Sequence, residues 1–150
     1  MKLRNLTTSA MALILMAACT EATCVEETSL EPDDLAGTWT ATSMVMTSVA
    51  DNTLSVDLVA LDGAVVTLVL GTDATYTFTF VSDVEPTENE TGTYTVSGST
   101  LTIHPTDSTE GPETFTISRT GDTMTLTGAD DHDFTPGQWV DVMMVITLTR

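Results

Sequence analysis

The residues with the greatest capacity for chemistry stand together at Asp130-Asp131-His132-Asp133, three carboxylates and an imidazole in consecutive positions. Hard oxygen donors of this kind suit calcium. The run nevertheless departs from the calcium-loop template, because counting from Asp131 the position that demands glycine is Pro136. It is therefore either a metal-binding loop or a solvated acidic one. Other reactive groups are sparser. His104 precedes Pro105 at the expected end of a strand, the setting of a surface imidazole. Met44, Met46, Met143 and Met144 put thioethers on opposite faces of two strands, which reads as core filler and rim rather than a copper box. No Gly-x-Ser-x-Gly elbow occurs. Nothing in the pattern calls for a cofactor, and the expectation is a protein that is not an enzyme.

The two cysteines are explained by the start of the chain. Met1-Lys2-Leu3-Arg4 is basic, the apolar stretch from Met11 to Ala18 is too short to cross a bilayer, and small residues precede Cys19, the layout of a removable signal peptide over 1–18. Met16-Ala17-Ala18-Cys19 resembles the bacterial lipobox, with Met16 where that motif prefers Leu, Val or Ile. The resemblance implies cleavage before Cys19 and attachment of lipid to its sulfur. Thr20 rather than Asp after the cysteine implies the outer membrane where the envelope has two membranes. Ordinary secretion with an unmodified Cys19 thiol is the alternative. Cys24 is then left over, either paired with another chain in an oxidising compartment or an inert thiol in the tether.

Loss of 1–18 removes Lys2 and Arg4, so that Arg119 and Arg150 face 22 acids, a formal charge of −20. Nucleic-acid binding depends on Lys and Arg displacing counterions, and anionic headgroups demand the same charge. Nucleic acid is excluded as a partner, and contact with a membrane falls to the lipid anchor.

Residues 19–34 are rich in Glu, Thr, Asp and Pro and read as an acidic tether without apolar groups to order it. At its end, Pro32 followed by Asp33, Asp34 and Leu35 suits one short helical turn, with Pro early and carboxylates at the positive end of the dipole. Such a turn is expected to cap the mouth of the domain that follows.

From Gly37 onward the hydrophobic period is two, and roughly a fifth of the chain is Thr. That pattern specifies strands. They are expected at Gly37 to Thr47, Leu54 to Leu61, Ala64 to Leu70, Thr75 to Phe80, Gly92 to Val96, Thr100 to Ile103, Thr114 to Ser118, Thr123 to Thr127 and Trp139 to Arg150, with an acidic loop from Ser82 to Glu90. Eight or nine short strands joined by tight turns leave no room for parallel crossovers, which implies an antiparallel up-and-down meander. Closing it into an all-β barrel over 35–150 removes the sheet edges and points Tyr76, Phe78, Phe80, Tyr94, Phe115 and Met124 inward, with the threonines outward. An open β-sandwich of the same strands is the structural alternative.

These segments also resemble the bacterial lipocalin-like domains. Leu35-Ala-Gly-Thr-Trp39 is similar to their opening Gly-x-Trp, Thr67 to Phe78 to a strand pair about an Asp-Gly turn, Gly92 to Ile103 to the next hairpin, and Thr147-Leu-Thr-Arg150 to the end of the last strand. Asp73-Ala74 stands where Asp-Gly is usual. The resemblance implies that Gly37 and Trp39 close one barrel end beneath an arginine from a late strand, Arg150 or Arg119, with a guanidinium over the indole. It also implies a small hydrophobic ligand inside, lined by Tyr76, Phe78, Phe80, Tyr94, Phe115 and Met124. The competing function is a structural or interaction module whose barrel is filled by its own side chains. The volume of the interior decides between them.

Overall fold

The computed structural model describes residues 30–83, 86–106 and 111–150. Cys19, Cys24, the signal segment and most of the tether lie outside the described residues. Alternation of apolar and threonine positions is realised in β1 (Gly37–Ser48), β2 (Ser55–Asp57), β3 (Val65–Leu70), β4 (Thr75–Val81), β5 (Glu88–Ser97), β6 (Thr100–Pro105), β7 (Glu113–Thr120), β8 (Thr123–Thr135) and β9 (Gln138–Thr149). Every pairing among these strands is antiparallel. From β3 to β9 each strand pairs with the next in sequence, and β1 pairs with both β3 and β9. Eight strands therefore close into a barrel, and β2 is an added strand against the second half of β1. Closure satisfies the backbone donors and acceptors that an open edge would leave unpaired.

The inner face is read directly from the register. Trp39 stands opposite Leu68, which stands opposite Phe78, while Leu101 stands between Val96 and Phe115 on its two neighbours. Threonines hold the alternate positions, as at Thr75, Thr77 and Thr79 of β4.

Three expectations are corrected. Only Ser55–Asp57 of the second segment is a strand; Leu58–Asp62 forms α2. The Asp57 carboxylate accepts from the amides of Val59 and Ala60 at 3.1 and 3.3 Å, and Gly63 ends the helix in the left-handed region at φ 61°. The second correction concerns two acidic segments read as loops. Glu88, Asn89 and Glu90 begin β5, and Asp130 to Asp133 lie within β8, because facing strands supply a ladder: Phe80 and Phe78 oppose Glu88 and Glu90, and Val140 opposes His132. Third, α1 (Pro32–Leu35) forms where expected but does not lie over the mouth. It covers the opposite, closed end, where its carbonyls are held by Trp39, Tyr94 and Arg119.

Candidate functional site

The barrel has two unlike ends, and the difference begins with the residues at each. At one end β1 enters through Gly37, whose φ of 141° suits glycine and where a side chain would meet Arg150. Two residues on, the Trp39 indole is fully buried, and its Nε1–H donates to the Leu35 carbonyl at 2.7 Å. The Arg150 guanidinium lies 4.6 Å from the ring centroid, and Arg119 approaches to 5.9 Å. Arg150 also donates to the Ala36 carbonyl at 3.0 Å and Arg119 to that of Asp34 at 2.6 Å. Both arginines of the domain are thus spent on fastening α1 over the indole. Beneath them Leu70, Tyr76, Tyr94, Leu101, Ile117, Met124 and Leu148 fill the interior. The Tyr94 hydroxyl donates to the carbonyls of Gly71 and Pro32 at 2.9 and 3.3 Å, so the plug is tied to the wall. Burial, then the charges of Asp33 and Asp73, push that phenol above its usual pKa.

The other end is open. There β1 pairs with β2 instead of β3, and α2 sits beside the gap with Leu58 turned inward. Asp57 fixes this corner, accepting from Ser43 Oγ at 2.9 Å and the Met44 amide at 3.1 Å as well as capping α2. Burial, the largest single influence, raises its pKa, but the hydrogen bonds from Met44, Ser43, Ala60 and Val59 together hold it below the ordinary carboxylate value. A cavity of about 810 Å³ occupies this half of the barrel. Its apolar wall is Met44, Met46, Leu58, Phe78, Phe80, Ile103, Phe115 and Met144, and its rim includes Glu88, Glu90, Glu113, Asp130, His132 and Trp139. Space is made in part by Gly128: a Cβ there would lie 2.6 Å from the Phe115 ring, which is seated on the glycine. The volume falls within the range of small-molecule sites.

The model of the lipocalin-like domain matches residues 35–126. The chain belongs to the lipocalin-like domain family. No curated protein matches it. The family match runs from the closed-end plug into the start of β8, and the lipocalin-like barrel is completed beyond it by the rest of β8 and by β9, which pairs with β8 and with β1.

Within this lipocalin-like barrel the residues expected to line a ligand divide in two. Phe78, Phe80 and Phe115 line the cavity. Tyr76, Tyr94 and Met124 do not; they face inward but lie in the filled half, 3 %, 1 % and 0 % exposed. Inward direction is a matter of strand parity, whereas depth along the axis depends on barrel stagger, which local pattern does not carry. The methionines are also corrected. Met46 opposes Met144, and both face inward with Met44 onto the cavity, while Met143 points out and is 45 % exposed.

The Asp130-Asp131-His132-Asp133 run does not converge as a metal cage. Its residues follow one another along one strand, and among the described residues no group of three His, Cys, Asp or Glu is placed to hold a metal ion. His132 instead packs edge-on against Phe134, with ring centroids 4.9 Å apart. The Asp73-Ala74 turn takes a left-handed residue without glycine: Ala74 has φ 61°, and Asp73 Oδ1 accepts from the amide and hydroxyl of Thr75 at 3.2 and 2.7 Å.

Sequence reasoning missed Met44, Met46, Met144, Leu58 and Ile103 as cavity walls and Glu88, Glu90 and Glu113 as inward acids. For Glu88 and Glu90 the signal was present. Counting back by twos from inward Tyr94 passes through Gly92 to both.

Proposed function

We propose that this protein is a binding protein of a bacterial cell envelope, exported and held by lipid on Cys19, whose cavity takes a small hydrophobic molecule. The observation that carries the binding reading is the 810 Å³ cavity at the open end of a barrel whose other end is plugged. A filled structural barrel would need its own side chains in that space, and close packing leaves few voids larger than a water molecule. Methionine thioethers and phenylalanine rings make a wall that adapts to a guest's shape without requiring hydrogen bonds from it. The lipid anchor is supported by the signal-like start and the lipobox-like Met16-Ala17-Ala18-Cys19. Outer-membrane location follows from Thr20 in an envelope with two membranes.

N-phenyl-1-naphthylamine, a neutral apolar dye that brightens out of water, tests the binding reading. It should bind the full chain saturably at one site, and Met46→Trp, which puts an indole into the cavity, should weaken it at least tenfold. Unsaturable dye uptake, or equal binding by the variant, would reject the cavity as the site. Radiolabelled palmitate should enter the wild-type protein and not Cys19→Ser. Unchanged processing and membrane association in that variant would reject the anchor.

A further inference from the structure

On the binding reading above, the lining also sets the electrical character of the guest. Glu88 and Glu90 stand opposite Phe80 and Phe78, and Glu113 stands opposite Ile103. Each shares the parity of a buried residue further along its own strand, Tyr94 or Phe115, so three carboxylates occupy positions that alternation assigns to the interior. The Tyr76 hydroxyl donates to Glu90 Oε1 at 2.6 Å. Burial, that bond, and the charges of Glu90 and Glu113 together raise the phenol well above its usual pKa.

Among the described residues no Lys or Arg lines the cavity, and Arg119 and Arg150 both lie at the far end on Trp39.

We infer that the cavity selects an amphiphilic organic cation, with its apolar body against Met46, Met144 and Phe115 and its ammonium among Glu88, Glu90 and Glu113. The ammonium sits at the mouth, where Glu90 is half-buried and Glu88 and Glu113 are exposed, so the three carboxylates attract it there and repel a carboxylate or sulfate. Aromatic faces and thioethers in the same wall also favour a soft alkylammonium over an anion.

Competition against bound N-phenyl-1-naphthylamine reads this directly, with three guests of equal chain length used below their micelle-forming concentrations: dodecyltrimethylammonium, dodecanol and dodecanoate. The full chain should be emptied of dye by the cation at a concentration at least tenfold below that needed for dodecanoate, with dodecanol between. In Glu88→Gln/Glu90→Gln/Glu113→Gln the ratio of cation to anion should fall to within about threefold. Removing three exposed acids of the closed end, with Glu31→Gln, Asp33→Asn and Asp122→Asn, should leave the ratio near its wild-type value. Displacement by dodecanoate at equal or lower concentration than the cation overturns the inference, whatever the variants do. So does a ratio that falls equally in both triple variants, since the preference would then belong to the net charge of the chain. Failure of the dye to bind wild type at all would instead remove the binding reading on which the inference stands.

Discussion

Trp39→Ala tests the closed end, and its cost can be worked from the contacts. The indole is fully buried, so truncation removes one of the largest apolar surfaces of the interior, a loss of about 3–5 kcal/mol. Trp39→Phe separates the ring from its N–H. It keeps most of the packing but leaves the Leu35 carbonyl without its 2.7 Å donor, at about 1–3 kcal/mol. The arginines should be unequal. Arg150 at 4.6 Å is within cation–π range and should couple to Trp39 by about 0.5–2 kcal/mol, whereas Arg119 at 5.9 Å stands at its limit and should couple less. Each arginine also binds a carbonyl of the α1 segment, and Arg150 lies 3.6 Å from a largely exposed Asp122, a pair worth little in water. The Asp122 contact enters the single-mutant cost alone, whereas the carbonyl contacts add to the coupling in so far as α1 shifts when Trp39 is removed. Urea melts of wild type, Trp39→Ala, Arg150→Ala, Arg119→Ala and the two doubles with Trp39 supply both cycles. Additive losses, within about 0.5 kcal/mol, would refute stacking of Arg150 on the indole. A Trp39→Ala cost under about 1 kcal/mol would refute the plug altogether.

Two further expectations concern the corners of the barrel. Because the folded Asp57 carboxylate titrates below its unfolded value near 3.8, its contribution is complete above that value and is lost as pH falls through the folded pKa. Urea midpoints measured from pH 6 down to pH 3 should therefore fall more steeply below about pH 4 for wild type than for Asp57→Asn; parallel curves would refute the role of the four hydrogen bonds. Ala74 carries a left-handed backbone at φ 61°, so Ala74→Gly should raise stability by about 1 kcal/mol in the same melts, and a loss would show that its methyl packing outweighs the strain.

Much of this barrel was legible because its strands advertise themselves by parity. Tyr76-x-Phe78-x-Phe80 and Tyr94-x-Val96 need no partner to reveal which face is buried, and short turns between them leave only antiparallel pairing. Trp39 was legible from its place behind Gly37. The segment Leu58-Val59-Ala60-Leu61 misled because a short apolar run suits either a strand or a helix, although Asp57 before it and Gly63 after it are cap residues. Asp130 to Asp133 and Glu88 to Glu90 misled for a different reason. Acidic residues have poor intrinsic strand preference, and a partner distant in sequence overrides it. Cavity and filled core were indistinguishable for the same kind of cause: Phe78 and Tyr94 look alike in pattern, and only their depth along the barrel axis separates a ligand wall from a plug.

The central claim, that the open half of the barrel holds a small hydrophobic guest, is most directly tested by what the protein carries. Native mass spectrometry of the full chain purified without added lipid or detergent, followed by organic extraction, should reveal one apolar molecule per chain that is lost from Met46→Trp. Wild type free of adduct that also fails to bind N-phenyl-1-naphthylamine, or an adduct retained in equal amount by Met46→Trp, would contradict it.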